Sequence, residues 1–525
     1  MNHTSLSERL LIKIEQAGNK LPHPTLLFIY LCGFIIALSA ITAAMDIHAI
    51  HPVSGDTITV SSLLSRDGLH LILTKSVSNF TQFAPVGSVL VAIMGIGVAE
   101  RSGLIAAVLT ATVLKAPRQL LSFFIVFSGV LSSLAMDTGY VVLIPLAALV
   151  FQAAGRHPIA GIAAAFAGVS GGFSANLLIG PVDAILGGIS AEAASLVKPG
   201  YEVSAAANYY FIIVSTLLIS VVGTWITEKI VIPRLGETTA NITEAVRTTL
   251  NPAEKKALQS VGLFSVVCIA LLLATLIPEQ GLLRADNGSI LNSPFIKGIV
   301  VLIAIYAAIA GLLYGKVSGN FTRQDDFIDG METSISMMAS YIVLMFFAAQ
   351  FVSYFNWSQL GAISAINGAQ FLQSMNLSAP TLMVSFVIMS ALINCLIGSS
   401  SAKWALFAPI FVPMFLLLGI SPEATQVAYR IGDSSTNIIT PLMPYFGVVV
   451  AFVQRYDKEA GIGTIIATML PYSIAFLVSW SALLVLWILL DWPLGPGREY
   501  FYNCLLNNQQ KITMSVEYCT RFCPG

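Results

Sequence analysis

Apolar residues run in long blocks along this chain, and polar residues gather in the stretches between them. Blocks of roughly membrane-spanning length lie at 25–45, 83–99, 158–190, 209–228, 258–277, 298–315, 331–355, 425–453 and 466–491. A helix needs about 20 apolar residues to cross a hydrocarbon core, so each block predicts one crossing. Two further apolar regions, 119–155 and 380–420, are each split by small and polar residues: "SSLAMDTGY" at 132–140 and "IGSSSAKW" at 397–404. Backbone groups freed inside a membrane are tolerated only where protein or a wet cavity surrounds them. Both regions are therefore expected to be re-entrant hairpins with the polar breaks at their tips. Two of the nine spans are themselves interrupted, by "GVSGGFSANLLIGPVD" at 168–183 and "RIGDSSTNIITP" at 430–441. Broken helices of this kind build ion and substrate sites in secondary transporters.

The two halves also align with each other. Pro145 matches Pro409 and Pro158 matches Pro422 at an offset of 264, and the same offset pairs Tyr140 with Trp404 and Asp137 with Ser401. With a three-residue gap, Ser174-Ala175-Asn176 matches Ser435-Thr436-Asn437. An N-terminus inside, with both hairpins returning to the side they leave, places 16 Lys and Arg in the inside loops and 7 outside. That asymmetry favours a cytoplasmic N-terminus and an external C-terminus. The first hairpin then enters from the inside and the second from the outside. The expected fold is an all-α polytopic membrane protein of nine transmembrane helices plus two re-entrant hairpins, in inverted-topology repeats. Its parts are a cytoplasmic N-terminus (1–24), a first repeat (25–230), a linker with one span (231–297), a second repeat (298–491) and a disordered C-terminal tail (492–525).

Composition narrows the function. The 525 residues are 56% hydrophobic and 10% charged, against about a quarter charged in an ordinary soluble domain. A soluble enzyme and a nucleic-acid binder are excluded. Net charge is −1 and names no partner beyond the lipid bilayer. Three of the six Cys (Cys504, Cys519 and Cys523) lie in the last 25 residues, which is no disulfide scaffold. No phosphate-binding loop, no metal cluster and no nucleophile–base constellation appears, so direct use of ATP and intramembrane catalysis are both disfavoured. No filter sequence or ring of like charges suggests a channel.

Charges inside apolar blocks each cost a few kcal/mol (about 2.5–3.5 on insertion scales) and so need a reason. They are Asp137, Asp183, Lys403, Arg430 and Asp433. Asp433 follows Arg430 by three residues, on neighbouring positions of one helical turn. Asp433 is expected to offer its carboxylate to a cation or proton, with Arg430 holding that carboxylate or meeting an anionic substrate. The other reading is a self-satisfied pair. Asn394 and Asn437 could add amide oxygens around a monovalent cation, which makes Asn394 and Asp433 candidate sodium ligands. In the first half, Asn176 and the tip around Asp137 would form a twin site, with Asp183, seven residues after Asn176, in the same neighbourhood. The other reading of these amides is capping of broken helix ends. Ser399, Ser400 and Ser401 either hydrogen-bond substrate or cap a half-helix. Trp404 either stacks on an aromatic substrate or packs. Pro422 starts a helix and could line the cavity. Lys403 either attracts a carboxylate or is satisfied at the tip.

The segments "GNKLPHPTLLFIY", "NFTQFAPVGSVLV", "GYVVLIPLAALVF", "GRHPIAGIAAAFAGVSGGFSANLL", "SSAKWALFAPIFVPM" and "YRIGDSSTNIITPLMPYF" resemble the p-aminobenzoyl-glutamate transporter (AbgT) family in order and over nearly the whole chain. The resemblance implies a bowl-shaped homodimer in a bacterial inner membrane. It implies a transporter powered by a cation gradient, sodium or proton, with no other cofactor. Family members import the folate fragment p-aminobenzoyl-glutamate or export sulfonamide antimetabolites. The resemblance places transport residues at Asp183, Asn394, Ser401, Trp404, Pro422, Arg430 and Asp433. Proton-driven export, with Asp183 and Asp433 titrating, is the alternative to import. Against this resemblance Lys403 would either strengthen binding of an anionic substrate or displace a coupling cation.

Overall fold

The computed structural model describes residues 24–501, apart from 51–56, 115–116, 135–138, 237–249, 279, 289–292, 444 and 498–499. The chain is helical almost throughout. The first half contains α1 (Pro24–Ala44), α2 (Arg66–Thr81), α3 (Ala84–Arg101), α4 (Leu104–Leu114), α5 (Leu121–Ser132), α6 (Ile144–Ala153), α7 (Pro158–Phe166), α8 (Pro181–Ser195) and α9 (Tyr209–Ile226). The linker helix is α10 (Pro252–Leu276). Then follow α11 (Ile299–Ser318), α12 (Asp326–Met337), α13 (Ala339–Trp357), α14 (Leu360–Ser374), α15 (Ala379–Asn394), α16 (Ser400–Leu417), α17 (Pro422–Asn437), α18 (Phe446–Gln454) and α19 (Ile462–Leu489). Among the described residues eight helical segments are long and apolar enough to cross a membrane, α2 and α3 counting as one (Arg66–Arg101), and α14 with α15, bent by 120°, makes a ninth if counted as one span. Along α10, Leu263, Val266, Ile269 and Leu271 are exposed, as on a face in contact with lipid.

Several expectations are corrected in detail. The residues after α1 are not all loop: β1 (His48–Ile50) pairs antiparallel with β2 (Thr57–Thr59), and α2 follows. The mixed sequence of α2, "RDGLHLILTKSVSNFT", lacks an apolar block and hid the helix from a hydropathy reading. The expected tail from 492 is held at its start. Tyr500 is fully buried, Ser421 donates its backbone N–H to Tyr500 O, and Phe501 bridges to Ile420. Residues 502–525 lie outside the described residues, as does Asp137.

Both split regions form two helices around a break. In the first, α5 and α6 are 12 and 10 residues long, and a π-helical turn (Gly139–Leu143) leads into α6. Neither is long enough to cross alone. In the second, the arms α15 and α16 have 16 and 18 residues, and α16 passes as a span by length and composition. In each region the two arms pack on the interrupted element that follows. α6 lies on α7, and α5 lies on α7 and the π turn Ala167–Gly171, whereas α15 and α16 both lie on α17. Two glycines permit this closeness. A Cβ on Gly168 would sit 2.3 Å from Val126 O of α5, and one on Gly432 would sit 2.4 Å from Val387 O of α15.

The interrupted elements start alike. Pro158 and Pro422 each occupy the first turn of their helix, where the missing N–H costs nothing. His157 and Ser421 cap these helices by accepting backbone N–H groups. The first element runs through α7 and a π turn (Ala167–Gly171), breaks over 172–180 and resumes as α8. The second break was expected over 430–441, but α17 continues to Asn437 and the chain leaves helix only from 438. The hydroxyls of this stretch fold back along their own helix, with Ser435 Oγ on Ile431 O at 2.7 Å and Thr436 Oγ1 on Gly432 O at 2.8 Å. This back-bonding lets small polar residues stay helical.

Candidate substrate and cation site

All sixteen residues of α17 are buried, although they include Glu423, Gln426, Arg430, Asp433, Ser434, Ser435, Thr436 and Asn437. A buried polar helix must find partners on its neighbours. Gln426 Nε2 donates to Ser190 Oγ of α8 at 3.0 Å, and Asn208 Nδ2 donates to Gln426 Oε1. Tyr201 donates its hydroxyl to Glu423 Oε2 at 3.0 Å. Ser174, in the first-half break, donates its backbone N–H to Ser434 Oγ at 3.1 Å. These contacts place α17 where the two halves of the chain meet.

Besides Glu423, four buried charges stand on or against this helix as two ion pairs. Arg430 Nη2 lies 2.7 Å from Asp183 Oδ1 of α8, and both side chains are 6% exposed. The same nitrogen donates to Ser174 O at 3.1 Å. Asp183 also uses Oδ2 to accept the Gly180 N–H at 2.7 Å, which closes the first turn of α8. Lys403 Nζ lies 2.5 Å from Asp433 Oδ1, and both side chains are wholly shielded. The expectation that Arg430 holds Asp433 is therefore corrected. Three residues apart on one helix, the two side chains diverge, Arg430 toward the first half and Asp433 toward α16. Each pair joins different segments of the chain.

Asn394 closes the cluster at the end of α15. Its Nδ2, with two hydrogens to give, lies within hydrogen-bond distance of three acceptors, Asp433 O at 2.7 Å, Thr436 Oγ1 at 2.9 Å and Asn437 Oδ1 at 2.8 Å. Its Oδ1 accepts from Lys403 Nζ. The amide oxygen and carboxylate oxygen assigned to sodium thus already receive an ammonium. A free monovalent cation would meet that like charge at contact distance, so the donor set as arranged does not fit sodium. Among the described residues no cluster of three or more His, Cys, Asp or Glu could hold a metal ion.

The remaining candidates divide between helix ends and packing. Ser399 is the N-cap of α16, accepting from Ala402 N at 3.4 Å, which moves the tip from 397–404 to 395–399. Ser400 and Ser401 are half-buried in the first turn. Tyr429, missed by a search for charges, donates its hydroxyl to Ser400 O at 2.6 Å and lies 3.4 Å from Asp433 Oδ1. Trp404 is fully buried. Its ring stacks on Tyr429 at 4.6 Å, and its Nε1 donates to Leu186 O and Ser190 Oγ. In this conformation it packs. Asn176 caps backbone: Oδ1 accepts from Leu177 N and Leu178 N, and Nδ2 donates to Ser133 Oγ. It stays in the first-half break, apart from the Asn394–Asn437 contact. A crevice of about 560 Å³ opens on another face of α8, lined by Ala184, Gly188, Glu192, Tyr201 and Lys297 among others. None of the expected site residues lines it.

The profile of the AbgT transporter family matches residues 9–502. The chain belongs to the AbgT family. It is 40% identical over 495 residues to the p-aminobenzoyl-glutamate transport protein of Escherichia coli (strain K12), covering 94% of this chain and 97% of that one. Two solved structures superpose over their whole length. The Alcanivorax borkumensis YdaH transporter is 52% identical with a TM-score of 0.87 and covers 90% of this chain. Neisseria gonorrhoeae MtrF, which illuminates a class of antimetabolite efflux pumps, is 44% identical with a TM-score of 0.88 and covers 93%. This AbgT chain is accordingly a multi-span membrane transporter and not an enzyme.

Proposed function

We propose that this chain is a secondary transporter that moves p-aminobenzoyl-glutamate or related sulfonamide-like aromatic compounds across a bacterial inner membrane. It is driven by a cation gradient and works by alternating access. The observation that carries the reading is the double ion pair on α17, Arg430 with Asp183 and Lys403 with Asp433. A buried pair contributes little net stability, whereas separating one is costly, so such pairs suit a switch better than a scaffold. The substrate class follows from the E. coli relative and from the family.

In this reading Arg430 is the group that meets a substrate carboxylate, and the half-buried Ser400 and Ser401, with Ser399 at the cap, offer hydroxyls from the start of α16. Trp404 and Pro422 shape the wall. Asp183 and Asp433 carry the coupling, with Asn394 and Asn437 holding Asp433 in place and Asn176 holding the first-half break. An anionic substrate competes with Asp183 for Arg430 and loosens the tie between α8 and α17. Movement of the α5–α6 and α15–α16 arms, as re-entrant hairpins of inverted repeats, would then change the side from which the site is reached. We place the N-terminus in the cytoplasm, the C-terminus in the periplasm, and two copies in the working assembly.

The competing direction is export of sulfonamide antimetabolites driven by protons, favoured by the 44% identity with MtrF. Proteoliposomes containing labelled p-aminobenzoyl-glutamate or a labelled sulfonamide, under an imposed sodium or proton gradient, test both. Concentrative movement that follows one gradient is expected, and its sign decides the direction. Flux indifferent to both gradients would refute coupled transport.

A further inference from the structure

The oxygens that would serve a free monovalent cation are already turned on a cation of the chain itself. Lys403 stands in the first turn of α16, and its ammonium touches Asp433 Oδ1 and Asn394 Oδ1. Asn394 cannot turn away cheaply, because the two hydrogens of its Nδ2 are shared among Asp433 O, Thr436 Oγ1 and Asn437 Oδ1. The other carboxylate oxygen, Asp433 Oδ2, is buried without a hydrogen-bond partner among the described residues. Carboxylate and amide oxygens are what a hard cation seeks. An ammonium carries the same single charge and accepts the same neighbours. The segment is also anchored next door. Trp404 Nε1 bonds Leu186 O and Ser190 Oγ of α8, which holds the lysine-bearing turn against the first half. Arg430, the other cation nearby, is engaged with Asp183, so Lys403 is the cation on Asp433.

We propose that Lys403 is a tethered cation standing in for a free monovalent ion between Asn394 and Asp433, so that this transporter works without sodium. The proposal deepens the functional reading above and rests on it for the meaning of the cluster. The role differs from that of a structural ion pair in one respect. Truncating the lysine should open a cavity lined by Asp433 and Asn394 oxygens, and that cavity should then take up sodium.

The test uses the full-length protein purified in detergent, with thermal unfolding followed in sodium chloride and in choline chloride at equal ionic strength. Wild type should unfold at the same temperature in both salts. Lys403→Ala should unfold several degrees lower in choline and recover in sodium, with a saturable dependence on sodium concentration. Lys403→Ala combined with Asp433→Asn should lose that sodium response, because the charge that recruits the ion is gone. Saturable stabilisation of the wild type by sodium would overturn the proposal. So would a folded Lys403→Ala indifferent to sodium, or a Lys403→Ala that folds in neither salt while the double variant folds. Binding of p-aminobenzoyl-glutamate to the wild type in both salts separates this proposal from the functional reading. Equal affinity is expected, a sodium-dependent affinity overturns the proposal, and absence of binding in both salts overturns the functional reading instead.

Discussion

The two interrupted elements share a scaffold and differ in chemistry. Each begins with a proline in its first turn, is clasped by the two arms before it, and needs a glycine at the contact. In the first element the residues around the break are small or apolar, and the polar Asn176 is spent on its own backbone. In the second element Arg430 and Asp433 each reach a partner on another helix, Asp183 of α8 and Lys403 of α16. The first half thus supplies backbone groups, such as Ser174 O for Arg430, together with one carboxylate, Asp183. The second supplies the charges. Similar clasping therefore does not imply similar chemistry: among the described residues Asn176 makes no contact like that of Asn394 with Asn437, and Asp137, the other member of the expected twin site, lies outside them.

The largest effect that would break this comparison comes from removing one charge on the second element. Asp433→Asn leaves the Lys403 ammonium buried and unpaired, and breaking a buried pair from one side costs about 3–5 kcal/mol. Thermal unfolding of the purified protein should drop sharply, and Lys403→Met in the same chain should restore most of the loss. A single variant as stable as wild type would show that the charges are not paired as described.

A Cβ where each element is clasped should give an intermediate effect of similar size in both halves. Gly432→Val and Gly168→Val each place side-chain atoms into a backbone carbonyl closer than real contacts allow. Overpacking of this kind costs about 1–3 kcal/mol. Comparable falls in melting temperature would support a common scaffold, and a fall in only one half would undo that part of the comparison.

The smallest effects should separate a cap from a site. Asn176→Ala removes a cap, worth about 0.5–2 kcal/mol, and should lower stability while gradient-driven flux persists. Trp404→Phe keeps the stacking on Tyr429 and loses the two hydrogen bonds of Nε1, at about 1 kcal/mol, again with flux retained. Flux abolished in a stable Asn176→Ala protein would restore the twin site in the first half.

Much of this was legible in the sequence because charge is expensive in a membrane. Asp183, Lys403, Arg430 and Asp433 stand out by that cost alone, and all four are used in the two ion pairs on α17. Their pairing was not legible. Spacing of three residues on a helix suggested that Arg430 and Asp433 hold each other, but partners on α8 and α16 are 247 and 30 positions away, as Asp183 and Lys403 are numbered. The end of α17 was misread for a related reason. Ser434-Ser435-Thr436-Asn437 reads as a breaker in isolation, yet burial gives each hydroxyl a carbonyl or amide to bond and keeps the helix intact. Tyr429 was passed over because a tyrosine in an apolar environment carries no cost signal, although it ties Ser400 to Asp433.

The most direct measurement is gradient-driven accumulation of labelled p-aminobenzoyl-glutamate in proteoliposomes by the neutral double variant Lys403→Met with Asp433→Asn, compared at equal reconstituted amounts with wild type. The account predicts a stable, membrane-inserted protein that no longer accumulates substrate against its concentration under any imposed gradient. Accumulation at the wild-type level would contradict it, since the buried charges on α17 would then be structure without a part in transport.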